Sequence, residues 1–395
     1  MTTFTLATFN VKNLIGADQE YYKWERYTVE EHAWKQDWLS DQLLAMDADI
    51  VGFQEIFEED ALAAVVAMTN AKGEELNGLS QPNPRARYSR KMIFRRLKYT
   101  SYPEGGLAFL PNIHDTGEPG KRRPGLAILS RFPFIEPPVA IQDLSDDPVE
   151  MNFAQLGGGD AGAYRLTNVS RPIVRARIDV GGQTVTVFNC HLKSKLGEYE
   201  GGHDGAPEQN LLEYDPVGRA IGEARSLIRR AAEAAALRRL VVAELNTGAP
   251  VVVMGDMNDS ENAVSSAIIA GERPFKNYSW LRRHDATRPN QRYTADENDQ
   301  IQAAIRNKLL LSAEKMFIRK SLRDMIYTSA FGGVYESIDQ ILLSHHFQPG
   351  AAEQAFALDY LQCLNDHLTD GGFEEAPYNK LASDHGQLVA TIRTL

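Results

Sequence analysis

Cysteine is scarce, positive charge is in deficit, and no long apolar run occurs anywhere in the chain. Two cysteines, Cys190 and Cys363, exclude a disulfide framework. Cys190 ends the apolar stretch Val185-Thr186-Val187-Phe188-Asn189-Cys190, so a buried thiol in a reducing compartment is expected. No apolar stretch approaches the ~20 residues that cross a bilayer, which excludes a transmembrane helix and predicts no membrane partner. The opening residues, Met1-Thr2-Thr3-Phe4-Thr5-Leu6-Ala7, enter a strand pattern with no basic segment and long apolar stretch before it. No secretion signal is therefore expected, and the expected location is cytoplasmic unless a leader has been removed. The formal charge of −11 argues against a passive polyanion-binding module, because phosphate backbones favour net positive surfaces. It is compatible with an enzyme that sets a local basic rim around an acidic metal pocket.

What is present is an ordinary globular composition. The 395 residues are 43% hydrophobic and 24% charged, enough for a sizeable core. β-Branched apolar runs predict strands over 4–9, 49–53, 125–129, 173–180, 184–190, 251–255, 337–343 and 387–392. Gly181-Gly182 predicts a tight hairpin between two of them. Helical spacing predicts helices over 29–46, with Trp34, Trp38, Leu39 and Leu43 on one stripe, and over 217–245, with one break. A third is expected over 301–322, with Ile301, Ile305 and Leu309 on one face. Strands alternating with helices predict an α/β or α+β fold with mixed sheets. The chemistry-bearing motifs run from residue 10 to residue 385, so one domain over 1–395 is expected. It carries loop insertions near 73–123 and 195–216 and a helical insertion near 299–323.

Polar groups gather where the apolar runs end. Asn10 ends the first and Glu55 follows the second; an Asn there also suits a turn, and a Glu the first turn of a helix. Gly255-Asp256-Met257-Asn258 places a carboxylate and an amide two positions apart, on one side of an extended backbone. The carboxylate can deprotonate water and the amide can donate to a phosphoryl oxygen; an Asx turn leading into a helix is the bland reading. His191 precedes Lys193, and His385 follows Asp384 directly. Asp339 lies within the apolar run Ser337-Ile338-Asp339-Gln340-Ile341-Leu342, where a charge must be paired or solvated. A carboxylate there can hold an imidazole in one tautomer. Together these groups supply hard oxygen donors, two imidazoles and a carboxylate–amide pair, the parts for metal-assisted hydrolysis of a phosphate ester.

In order and spacing, four elements resemble the endonuclease/exonuclease/phosphatase superfamily, the fold of deoxyribonuclease I. They are Asp49-Ile50-Val51-Gly52-Phe53-Gln54-Glu55, Val253-Met254-Gly255-Asp256-Met257-Asn258, Ser337-Ile338-Asp339-Gln340-Ile341-Leu342 and Ser383-Asp384-His385. Pro124-Gly125-Leu126-Ala127-Ile128-Leu129-Ser130 and Arg171-Pro172 are similar to its middle strands, and the resemblance spans residues 4–392. The stretch His191-Leu192-Lys193-Ser194-Lys195 is most similar to bacterial predicted nucleases. The resemblance implies a two-layer sandwich of mixed β-sheets flanked by helices. It implies a divalent metal, Mg²⁺ foremost with Mn²⁺ or Ca²⁺ as alternatives, bound by Glu55 with Asn10 and Asp384 nearby. It further implies Asp256 with Asn258 as water activators, His385 backed by Asp339 as phosphate donor, and His191 as phosphate contact or leaving-group acid. Arg171 and Lys193 are implied as phosphate contacts.

The expected substrate is nucleic acid. Arg85, Arg87, Arg90, Lys91, Arg95, Arg96 and Lys98 alternate with Tyr88, Phe94 and Tyr99, a mixture that suits a strand of bases and phosphates. Hydrolysis of a small or lipid phosphate ester is the alternative, and a catalytically silent binding protein on the same scaffold is the third reading. No obligate protein partner is expected.

Overall fold

The computed structural model describes residues 2–79, 98–152, 162–197, 215–271, 291–318, 326–370 and 381–395. The basic run from Arg85 to Arg96, with Tyr88 and Phe94, lies outside the described residues, as do positions 198–214 of the second expected loop.

In chain order the elements are β1 (Thr3–Leu14), α1 (Val29–Met46), β2 (Ile50–Ile56), α2 (Glu59–Gly78), β3 (Leu107–Leu110) and β4 (Gly125–Ser130). There follow β5 (Val139–Asp143), β6 (Val149–Asn152), β7 (Ala163–Leu166), β8 (Asn168–Val180), β9 (Gln183–His191) and α3 (Pro216–Leu245). Next come β10 (Val251–Asp256), α4 (Val264–Ala270), α5 (Ala295–Arg306), β11 (Leu310–Ser312) and α6 (Ala313–Ile318). The chain ends with β12 (Ser329–Phe331), β13 (Val334–Glu336), β14 (Asp339–Ser344), β15 (Phe356–Leu364) and β16 (Gln387–Thr394).

Two six-stranded sheets form the centre, ordered β15-β16-β1-β2-β4-β3 and β11-β14-β10-β9-β8-β5. Both are mixed: β1 runs parallel to β2 and antiparallel to β16, and β10 runs parallel to β9 and antiparallel to β14. Their facing sides share one core that includes Phe4, Leu6, Ile50, Val187, Met254 and Ile341. Alternate residues of the first sheet, Ala7, Phe9, Val51 and Phe53, pack outward against α1 and α2. The outer face of the second sheet packs against α3 through Ala232, Leu237 and Val241. The period-two alternation of each strand thus feeds two cores. The result is the expected sandwich of mixed sheets flanked by helices.

The 29–46 helix forms as expected. Thr28 and Glu31 make a capping box, and Asp47 closes the helix in the left-handed region. Leu39 and Leu43 are buried, whereas Trp34 remains 41% exposed and stacks on Trp38 with ring centroids 6.4 Å apart. The helix α3 runs unbroken from Pro216, with Asp215 as its N-cap. Gly181 and Gly182, both at positive φ, make the expected hairpin between β8 and β9.

The expected break within 217–245 does not occur, and three further expectations change. Residues up to Gly78 extend α2, and 107–110 form β3, so the stretch near 73–123 is not all loop. The helix expected over 301–322 is instead α5, a turn at Asn307, the short edge strand β11 and α6. The strand β15 at the sheet edge was not expected at all. No helix among the described residues is long and apolar enough to cross a membrane.

Candidate active site

The strand registers assemble the site. Asp256 pairs with His191 of β9 on one side and with Asp339 of β14 on the other, so one row across the second sheet carries three polar side chains. Gly255 makes that row possible. It sits at φ 141°, and a Cβ there would collide with the Cys190 carbonyl oxygen. From the first sheet, Asn10 pairs with Gln54, and the chain turns at Glu55 with φ 65°. Lys12, Asn13 and Asn258 also have positive φ. Non-glycine residues in this region cost energy and cluster at functional sites.

A buried polar ladder locks the two sheets together behind the row. Thr8 Oγ1 donates to Gln54 Oε1 at 3.3 Å, and Gln54 Nε2 donates to Asn189 Oδ1 at 2.7 Å. Asn189 Nδ2 in turn donates to the carbonyls of Phe53 and Ala127, each at 3.0 Å. Gly52 leaves the space for Asn189, since a Cβ there would sit 2.8 Å from Asn189 Cγ. The loop before β16 is tied to the end of β1. Ser383 Oγ donates to the Asn10 carbonyl at 2.6 Å, and the fully buried Lys35 donates to the carbonyls of Val11 and Leu381 at 3.0 Å.

These ties bring both sheets' polar groups to one place. Asn10 Nδ2 lies 3.1 Å from Asp256 Oδ2 and 3.3 Å from Glu55 Oε1, and 3.4 Å from His385 Nε2. His191 Nε2 is 3.3 Å from Asp256 Oδ2 and 4.0 Å from Glu55 Oε1. His385 Nδ1 lies 2.8 Å from Asp339 Oδ2, and its Nε2 faces Asp256 at 3.8 Å. The backbone N–H of Asn258 donates to Asp256 Oδ1 at 2.7 Å.

Other expected residues sit differently. The Asn10 oxygen accepts from the Lys12 N–H, so its amide nitrogen is what faces the carboxylates. The Asn258 amide donates to the Leu192 carbonyl at 2.9 Å. Asp384 is half exposed and pairs with Lys12 at 3.6 Å, outside this cluster. Arg171 Nη1 donates to the Leu192 carbonyl, and Lys193 Nζ reaches the Leu196 carbonyl. Both line a cavity of about 440 Å³ together with Tyr22, Arg123 and Arg229.

A profile of the Endonuclease/Exonuclease/phosphatase family matches residues 7–385. The chain belongs to that family. Its members hydrolyse phosphoesters, nucleases and phosphatases among them, and typically use a divalent metal. Solved structures are similar at low identity. An endonuclease/exonuclease/phosphatase from Beutenbergia cavernae is 15% identical, with 99% of this chain and 72% of that one covered and a TM-score of 0.45. A family protein from Bacteroides thetaiotaomicron is 14% identical, with 99% and 97% covered and a TM-score of 0.45. The human Nocturnin catalytic domain, solved with a sulfate anion, is 12% identical, with 100% and 95% covered and a TM-score of 0.45. Among curated proteins nothing matches.

Electrostatics differentiate the groups. Burial disfavours charge on His385, but Asp339 and Asp256 outweigh it and raise its pKa well above the ordinary value. Burial, with Arg171 and His385 adding to it, lowers His191 well below its ordinary value. Burial pushes Asp256 up to about 7; charge on His385 opposes this, while Asp339 and Glu55 reinforce it. The doubly protonated, charged form is therefore favoured at His385 and the neutral form at His191. Asp339 Oδ1 is buried with no hydrogen-bond partner among the described residues. Glu55, Asp256 and Asp339 set three carboxyl groups around His385 in an oxygen-rich pocket. That donor set fits a hard dication of the kind the family uses.

Proposed function

We propose that this chain is a nuclease, hydrolysing the phosphodiester bonds of DNA or RNA with the help of Mg²⁺. The convergence of Glu55, Asp256, Asp339 and His385 from both sheets into one buried, acid-rich pocket supports the reading. Glu55 would hold the metal, and Asn10 orients the Glu55 and Asp256 carboxylates from between them. When bound, Mg²⁺ would supply positive charge to a nonbridging phosphate oxygen. Mn²⁺ meets the same ligand demands.

Asp256 orients the attacking water and takes its proton, and the Asn258 backbone N–H fixes the carboxylate for that task. His385 donates through Nε2 to a phosphoryl oxygen, with Asp339 holding Nδ1 and stabilising the positive ring. His191 serves as a neutral hydrogen-bonding contact to phosphate. Its lowered pKa makes it a poorer source of a proton for the leaving oxygen than His385.

The cavity beside the pocket favours a chain of phosphates over a small ester. Arg123, Arg171, Lys193 and Arg229 line it with no carboxylate among the lining residues, in a protein whose overall charge is −11. Arg171 acts electrostatically on His191, so the basic cavity adjoins the reacting groups. Cationic side chains in that position suit phosphates next to the scissile one.

The test is a panel of linear, circular and single-stranded DNA and RNA, with phosphorylated small molecules, in Mg²⁺ or Mn²⁺. The Asp256→Ala protein is the control. Metal-dependent cleavage of a polynucleotide, lost in the variant, is expected. Turnover confined to small esters moves the reading to a phosphatase. No turnover of any phosphodiester with either metal overturns it.

A further inference from the structure

β14 carries a polar cluster at each end. Asp339 opens the strand at the hydrolytic pocket. Five residues later, about 17 Å along an extended chain, the strand ends at Ser344, and His345-His346-Phe347 form a short 3-10 turn. His345 and His346 are 3% and 5% exposed, and their ring centroids lie 3.9 Å apart. Phe347, fully buried and stacked on Phe356, anchors the turn to β15. The Ala355 N–H donates to the His346 carbonyl at 2.9 Å, which brings the loop after Gly350 back over the turn. Glu353 on that loop then faces both rings, with Oε2 2.8 Å from His345 Nε2 and 3.9 Å from His346 Nε2.

We propose that His345, His346 and Glu353 form a binding site for a transition-metal dication of the zinc class, separate from the hydrolytic pocket. Two imidazole nitrogens and a carboxylate oxygen, all within 4.8 Å of one another, are the donor types and number of an open zinc site. Both carboxylate separations lie below about 4.2 Å, twice a zinc–ligand bond, so a single ion can touch each pair. Ser344 Oγ lies 3.1 Å from His346 Nδ1, and the other ring nitrogen, Nε2, is the one that faces Glu353. Ser344 is itself fixed by the Val251 N–H at 3.0 Å, so the ring is oriented from behind, as metal-binding imidazoles are. The Glu353 side chain is 61% exposed, which leaves entry and a fourth position for water. The nitrogen-rich set selects zinc, copper or nickel over magnesium, the reverse of the oxygen-rich pocket at the other end. A bound ion staples the 3-10 turn to the 349–355 loop and stabilises the edge of the fold.

Titration of the full chain with ZnCl₂ in excess Mg²⁺, followed by calorimetry and by thermal unfolding, tests the site. One equivalent of Zn²⁺ and a rise in melting temperature are expected. Both weaken at least ~10-fold in concentration dependence in Glu353→Gln and in His346→Ala, and both persist in Asp256→Ala. Glu353 is exposed, so the Glu353→Gln protein folds even where the buried His346 change does not. No Zn²⁺ binding, or equal binding by wild type and Glu353→Gln, overturns the site. Phosphodiester turnover is unchanged in Glu353→Gln, so this result is read independently of the hydrolytic function.

Discussion

The two ends of β14 contrast in chemistry within a single six-residue strand. At one end Asp339 joins Asp256, Glu55 and the charged His385, and acid outweighs imidazole. At the other, two imidazoles share the one carboxylate of Glu353. The first end is closed by both sheets and held by the Gln54–Asn189 ladder. The second is built from a turn and a loop, with Glu353 exposed. The same residue types would therefore suit a hard dication at one end and a borderline one such as zinc at the other, according to the ratio of oxygen to nitrogen donors.

The largest effect belongs to the enclosed end. Asp256→Ala lowers turnover of bis-p-nitrophenyl phosphate ~10²-fold or more, with circular dichroism and melting temperature close to wild type. Zinc binding at the other end is untouched. Full activity of the purified variant breaks the assignment. Asp339→Asn comes next, at ~10- to 100-fold. The variant leaves His385 without its charged partner, and the pKa of His385 falls. A protonated His385 is the active form, so the alkaline limb of the rate profile moves to lower pH. A uniform loss with an unmoved limb identifies Asp339 as structural support alone.

Much of the enclosed end was legible before the fold was known. Asp256, His191 and Asp339 end or open strands, and a polar group there has few places to go except a shared sheet edge. The partners of these residues were not legible. Asn258, at positive φ, turns its amide toward a carbonyl, and Asn10 turns its amide toward two carboxylates. Asp384 stands beside His385 in the sequence yet projects to Lys12. Lys35 reads as an ordinary helix lysine, and only the convergence of β1 and the loop before β16 buries it.

The 301–322 reading failed because the apolar spacing of Ile301, Ile305 and Leu309 continues through a helix end at Asn307 into an edge strand. β15 escaped notice because a bulge between Leu358 and Tyr360 breaks its alternation and Asp359 pairs outward with Arg393. The His345–His346–Glu353 cluster leaves only adjacent histidines in the sequence. Its third member arrives through the turn at Gly350, φ 77°.

A smaller effect sharpens the picture of the acidic end as a phosphate-handling surface. Arg123 has no carboxylate partner in the adjoining cavity, and Arg123→Ala reduces the salt dependence of oligonucleotide affinity by about one phosphate contact. Turnover of bis-p-nitrophenyl phosphate stays at the wild-type level. An unchanged slope removes Arg123 from the substrate path.

The smallest effect is one of stability, and it comes from a further carboxyl at the acid-loaded end. Glu314 hydrogen-bonds Ser337, just ahead of Asp339, and burial together with Glu261 pushes it from 4.5 up to about 7. The unfolded chain releases this proton near 4.5, while the folded chain keeps it until about 7. Between those values the folded state holds more protons, so stability falls as pH rises and the loss is complete above 7. Glu314→Gln keeps a polar partner for Ser337 and removes the ionisation. At pH 8 the variant gains on the order of 2 kcal/mol, a rise of a few degrees in melting temperature. At pH 4 it gains nothing, because both proteins are then neutral at this position. A gain equal at both pH values shows that packing, not the buried charge, sets the stability of this end of β14.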